Sequence, residues 1–280
     1  MSAISLAAVL CAGSVQAAPT SAKASIGISN FHYTLIDLDT SDNIAPSIHF
    51  NFPDSSDPQG SSVGANATVH PNGEKEIDQW AGERNVKVVD VSRSASVMGM
   101  VNSSGTVVAG GGESGLQGAT LAVQGTAEIP TDSAFRGSAD YSSQGRIFGA
   151  ADFTLSPHTK LVFSFDLAVS ASVFANKNQT ARNETTFNAN LLYFDALGKI
   201  HYSAIIGRRF NLDAQWNSAE SVNEAFALSM SNTTADDLAG RVGMASWMSG
   251  EVSAVPEPET YAMLLAGLGL LGFMAKRRRA

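Results

Sequence analysis

The sequence has a single cysteine, Cys11, among 280 residues. A lone thiol cannot form an internal disulfide, and because Cys11 lies in the apolar N-terminal run, the rest of the chain has neither thiolate catalysis nor a cysteine-ligated metal. Charge is also scarce, at 16% of residues, and acids outnumber bases 26 to 18 for a formal net charge of −8. Such a balance repels phosphate backbones and anionic headgroups, which argues against a nucleic-acid partner. The five histidines, His32, His49, His70, His158 and His201, include no pair at helical metal spacing, so no zinc motif can be built from them. The run Gly110-Gly111-Gly112-Glu113-Ser114-Gly115 has neither the Gly-x-Ser-x-Gly spacing of a nucleophile elbow nor the lysine of a phosphate loop, and reads as a hairpin loop. No catalytic constellation emerges, and the expectation is a protein that is not an enzyme.

What is present begins at the two ends. Residues 1–17 carry an apolar run from Ile4 to Ala12, breakers at Gly13 and Ser14, and the small-residue sequence Val15-Gln16-Ala17. This is the layout of a secretory signal cut by signal peptidase after Ala17 rather than Ala18, because Pro19 would sit directly after the latter cut. No lysine or arginine precedes the run, which leaves room for a start codon upstream of Met1.

At the other end, residues 255–280 have three parts. Val255-Pro256-Glu257-Pro258 cannot join a helix or a central strand and stays extended. Tyr261 to Ala275 is an apolar stretch of 15 residues, about 22 Å long as a helix, enough for a short, transient span. Lys276, Arg277, Arg278 and Arg279 then act as a stop-transfer cluster that holds the C-terminus in the cytoplasm and places residues 18–254 outside. Without those four residues, 14 bases face 26 acids, so the exported part is more acidic still.

This tail closely resembles the PEP-CTERM sorting signal. The resemblance implies recognition by an exosortase-type membrane enzyme, transient anchoring in the inner membrane, and delivery to the cell surface or extracellular matrix alongside exopolysaccharide. The expected organisation is a signal peptide at 1–17, a mature domain at 18–254 and a sorting tail at 255–280. The expected partners are signal peptidase, the exosortase-type enzyme and exopolysaccharide.

Between the ends the pattern period is two. Leu161, Phe163, Phe165, Leu167, Val169, Ala171 and Val173 alternate with smaller or more polar residues, which predicts a long half-buried strand. Shorter alternations appear at Phe31, Tyr33 and Leu35; at Ile48, Phe50 and Phe52; at Phe187, Ala189, Leu191 and Tyr193; and at Phe226, Leu228 and Met230. Turn signals separate them: Asn72-Gly73, Ser104-Gly105, Ser156-Pro157, Leu197-Gly198 and Asn232-Thr233. The fold class is all-β, an antiparallel β-sandwich of jelly-roll kind, with short helices allowed only at 74–84 and 218–224.

Two sets of residues offer chemistry. Asp37, Asp39 and Asp42 follow a strand closely enough to supply oxygen ligands, so calcium is the one cofactor the sequence suggests. They depart from the calcium-loop template, since Ile48 stands where its bidentate glutamate belongs, and a solvated turn in which each aspartate caps its own backbone fits them better. Trp80, Trp216 and Trp247 fill a core in the commoner case; exposed together on one sheet face, they would form a sugar-stacking platform. The functional expectation is a structural or adhesive component associated with exopolysaccharide, the alternative a secreted carbohydrate-binding module or weak glycoside hydrolase.

Overall fold

A computed structural model describes residues 18–51, 61–71, 75–86, 91–108, 116–131, 135–176, 179–213 and 217–254, together with Ala266 and Leu268; the side chains of Ser61, Glu83–Val86 and Phe148–Ala150 are not included. The signal peptide with its Ala17 cleavage site, the motif residues 255–258, the basic cluster 276–279, Phe52, Asn72-Gly73, Gly110–Gly115 and Trp216 lie outside the described residues. Among the described residues no helix is long and apolar enough to cross a membrane.

The described chain is built from antiparallel strands: β1 (Thr20–Asp37), β2 (Ile48–Asn51), β3 (Ser61–Pro71), β4 (Ile77–Val86), β5 (Val91–Val97), β6 (Val101–Val108), β7 (Thr120–Ile129), β8 (Gly137–Leu155), β9 (Thr159–Phe174), β10 (Gln179–Phe194), β11 (Ile200–Asp213), β12 (Ser218–Asn232) and β13 (Leu238–Ala254). They form two layers. The first runs β12-β9-β1-β7-β6-β5, the second β11-β10-β13-β8-β3-β4, with β2 added to β8. The expected alternation of β9 is realised: Leu161, Phe163, Phe165, Leu167, Val169, Ala171 and Val173 are all buried.

Aromatic rings knit the layers together. Phe163 of the first sheet meets Phe153 of the second at 6.4 Å between centroids, and Phe165 meets Phe187 edge-on at 6.0 Å. Each such pair adds of order 1 kcal/mol to the area it buries. Deeper toward β7, Tyr141 of β8 lies between two glycines: a Cβ at Gly125 would fall 2.0 Å from its ring and one at Gly250 2.4 Å from it. Asn183 Nδ2 donates to the phenol oxygen at 2.7 Å, and Thr185 Oγ1 donates to Asn183 Oδ1 at 2.8 Å. Burial pushes the Tyr141 hydroxyl pKa well above its ordinary value, partly offset by that bond, so it stays a neutral phenol.

Three local expectations are corrected. Among the described residues the segments at 74–84 and 218–224 hold no helix: Ile77–Val86 is β4, paired with β3, and Ser218–Asn232 is β12, paired with β9 along its length. Ladder bonds from long-range neighbours override a weak local helical preference. Ser104-Gly105 makes no turn either, since both lie within β6, where Gly105 faces Arg93 on one side and Val123 on the other. A Cβ on Gly105 would come 3.1 Å from the backbone oxygen of Gln144 in the facing sheet, so this glycine serves close layer contact.

The strand directions give the sandwich two poles. At one, Asn176 Nδ2 donates to the Ala18 carbonyl at 2.6 Å, Asn176 N donates to Thr20 Oγ1 at 3.0 Å, and Thr20 Oγ1 donates to Gln179, whose register partner is Ala254. Ala18 and Ala254 therefore lie at the same pole. The opposite pole, about 50 Å away along the 16 residues of β9, holds the 38–47, 156–158, 195–199 and 233–237 connections. Asn232, 1% exposed, ties two of these: its Nδ2 donates to the carbonyls of Leu155, Ser156 and Asp236, and its Oδ1 accepts from Thr234 N. Asn232→Ala would orphan buried carbonyls and is expected to cost about 3 kcal/mol, read as a lower urea midpoint with an unchanged slope.

Candidate functional site

The outer face of the second sheet is the most distinctive surface of the domain. Trp80 is 65% and Trp247 39% exposed, and both point out from this sheet rather than into the core. The register places them. Trp80 of β4 faces Asn66 of β3; two residues along, Gly82, Gly64, Gln144 and Trp247 stand side by side across β4, β3, β8 and β13. The two tryptophans are thus separated by three strand spacings, about 14 Å.

The floor between them is made flat by glycine. The Trp80 indole lies directly over Gly82, where a Cβ would fall 2.3 Å from the ring, and the Gln144 side chain lies over Gly64, where a Cβ would fall 2.9 Å from its Nε2. The two indoles, with a carboxamide between them, line a groove of about 200 Å³ that also includes Asn66 and Ser142. Flat apolar rings beside amide donors and acceptors are what a pyranose, with an apolar face and a hydroxyl rim, requires.

Through Ser142 this groove continues into a larger one of about 510 Å³ toward the pole where the termini meet. Its walls carry Asp140, Glu184, Asp213 and Glu251 against one lining guanidinium, Arg182. Arg182 pairs with Glu251, and Arg209 Nη2 reaches Glu184 Oε1 at 2.6 Å. Asp140 Oδ2 lies 3.1 Å from His70 Nε2, and His70 Nδ1 lies 3.4 Å from Glu76. Burial raises the Asp140 pKa, while His70 pulls the other way. A raised carboxyl pKa means that the fold gains stability as pH falls through it and loses that gain as pH rises. Asp140→Asn should remove this dependence, so the variant gains on the parent by under about 1 kcal/mol from pH 4 to pH 7 in parallel urea titrations, a small effect because part of the side chain stays in water.

The aspartates after β1 behave mainly as turn caps. Asp37 Oδ1 accepts from Asp39 N at 2.9 Å, Asp39 Oδ1 from Ser41 N at 3.0 Å, and Asp42 Oδ1 from Ile44 N at 2.7 Å. The hydrogen bonds from Ser41, its hydroxyl first, hold the Asp39 carboxyl below the ordinary carboxylate range. Three donors do converge, all within 4.8 Å of one another, but they are Asp39, Asp42 and His158; Asp37 is not among them. His158, at φ 49°, is brought in by the turn before β9, where its carbonyl accepts from Leu38 N. Asp195, in contrast, is spent on its own turn, accepting from Leu197 N and Lys199 N at 2.9 Å each.

Of the three tryptophans, Trp80 and Trp247 are therefore exposed together instead of filling a core. Glycines 64 and 82, Gln144 and the carboxylates of the second groove were not singled out by the sequence; Trp80-Ala81-Gly82, with a glycine two positions from a tryptophan on one strand face, is the local signal that points to the ring's resting place.

Comparison with known proteins bears on the tail. The family model for the PEP-CTERM protein-sorting motif matches residues 254–279, beginning at the last residue of β13, Ala254. The chain carries this motif, which implies an exported protein processed by an exosortase-type enzyme. No curated protein matches the chain. Among solved structures, one from a study of the promiscuous specificity of carbohydrate-binding modules of the β-sandwich superfamily aligns over 76% of this chain and 98% of its own, at 10% identity and a TM-score of 0.12, too low to bear on fold or function.

Proposed function

We propose that residues 18–254 form a non-enzymatic glycan-binding sandwich, delivered by the sorting tail to the cell surface or extracellular matrix, where it attaches to exopolysaccharide. The observation that carries this is the pair Trp80 and Trp247, exposed on one sheet face across a glycine floor with Gln144 between them. An exposed indole costs solubility and contributes nothing to the core, so two on one face are best accounted for by a ligand. Adhesion and carbohydrate binding, alternatives in the sequence, become one role.

The domain limits and the jelly-roll arrangement are supported by the pairing. Strands β7 to β13 pair as β8-β13, β9-β12 and β10-β11, and β1 pairs with β7 and β9, taking the place of the eighth strand of a jelly roll. The junction of both ends at one pole suits a chain that leaves signal peptidase after Ala17 and enters the tail at Val255: the domain would stand on the membrane by that pole until the tail is processed. The test is binding of the purified 18–254 domain to the host's own exopolysaccharide by affinity electrophoresis, beside intact mass and location of the native protein with and without the processing enzyme. Retarded migration, and a mature mass lacking residues 1–17 and the apolar tail, are expected. Unretarded migration overturns the binding role, and a tail retained regardless of that enzyme overturns the sorting role.

A cation at the far pole is a second reading, favoured by one observation: Asp42 Oδ2 is shielded from solvent and has no hydrogen-bond partner among the described residues. Its ligands would be Asp39, Asp42 and His158, a mixed oxygen and nitrogen set that suits zinc or manganese better than calcium. On this reading, adding each ion to the EDTA-treated domain raises the melting temperature by a few degrees, Asp42→Asn abolishes the rise, and no shift with any ion removes the cation.

A further inference from the structure

The groove that holds the tryptophans does not end at them. It runs on through Ser142 into the larger cavity, and there the chemistry changes from aromatic to acidic. Resting on the glycan reading above, we infer that the ligand is a cationic polysaccharide, one whose sugars carry free amino groups, with a ring stacked at the tryptophans and ammonium groups seated along the acidic extension.

The argument is charge complementarity within a defined cavity. Across the sheet the register lines up Thr68, Asp140, Glu251, Arg182 and Asp213 on the outward face, with Glu184 two residues nearer the tryptophans. Four carboxylates against Arg182, which pairs with Glu251, and Arg209, which pairs with Glu184, leave the cavity with a formal excess of two negative charges, on Asp140 and Asp213. Concave walls focus that field. A neutral sugar would desolvate these carboxylates without returning an ionic partner, whereas an ammonium group supplies a charge-assisted hydrogen bond to each one it meets. Asp140 is placed to benefit most, because burial already disfavours its charged form and a bound cation offsets that penalty. Distance fits as well: the acidic row is four residues along the strands from the row of Gln144 and Trp247, about 13 Å, so a chain of sugars reaches both.

The experiment is calorimetric titration of the 18–254 domain with glucosamine hexamer and N-acetylglucosamine hexamer, in the parent, in Asp140→Asn/Asp213→Asn and in Trp80→Ala/Trp247→Ala, each checked for folding by its melting curve. The expected result is at least ten-fold tighter binding of the glucosamine hexamer, a preference that falls to under three-fold in the aspartate variant, and loss of both ligands in the tryptophan variant. Equal binding of the two hexamers, lost with the tryptophans, keeps the glycan platform and overturns the cationic preference. A glucosamine preference that survives the aspartate substitutions reflects the net charge of the chain and also overturns it. Binding of neither hexamer and of no exopolysaccharide overturns the platform itself, and this inference with it.

Discussion

Trp80→Ala and Trp247→Ala are each expected to weaken exopolysaccharide binding by about 30-fold, and the double variant by about 1,000-fold, with no loss of fold. A stacked, largely desolvated tryptophan at a binding surface is worth about 2 kcal/mol on truncation, and each 1.4 kcal/mol is ten-fold in affinity. The rings lie three strand spacings apart, about 14 Å, so their effects should add. Stability is spared because Trp80 rests on Gly82 at the outer surface and Trp247 projects from β13, whose inward neighbours Ser246 and Met248 are buried. Affinity electrophoresis in gels cast with the polysaccharide, beside thermal melts, separates the two quantities. A double variant that binds like the parent would leave the exposed indoles without a role and would sink the glycan reading.

The second large effect concerns stability. Gly125→Val is expected to destabilise the domain by 3 kcal/mol or more, about 6–12 °C in melting temperature for a domain of this size. Even the first carbon of the new side chain falls 2.0 Å from the Tyr141 ring, and the ring cannot retreat, because Gly250 is packed against its other side and Asn183 holds its hydroxyl. Phenol, amide and the Thr185 hydroxyl form a buried chain of hydrogen bonds, so a shifted ring also strands polar groups. The clash hypothesis has a sharper consequence in a double-variant cycle. In a Tyr141→Ala background, itself destabilised, Gly125→Val should cost far less, since the space is then empty. An equal cost in both backgrounds would show that β7 needs glycine at 125 for a reason other than the ring.

Much of this protein can be read without its structure, and the reasons are local. A Pro-Glu-Pro segment, an apolar stretch and a basic cluster act in linear order, so the sorting tail needs no tertiary context to be recognised. Alternation along one strand reports which side chains face the core, so the buried set of β9 follows from residues 161–173 alone. The turn at Asp195 is equally local, since its carboxylate caps amides two and four residues on.

What period-two alternation cannot carry is the identity of a strand's neighbours. Trp80 and Trp247 share a face only because β4, β3, β8 and β13 are adjacent in that order, and none of those adjacencies but β3-β4 joins consecutive strands. The same nonlocality turned two expected helices into strands and a Ser-Gly turn into the middle of β6. It also exchanged Asp37 for His158 in the far-pole cluster, a residue brought in by a separate turn. The sorting signal, the strand content and the inward face of each strong strand are thus legible in residue order alone, because each is set by neighbours within a few positions. The groove, its tryptophans and its acidic extension were decided only when long-range ladders placed distant strands side by side, because hydrogen bonds between backbones specify register without leaving a mark on local residue order.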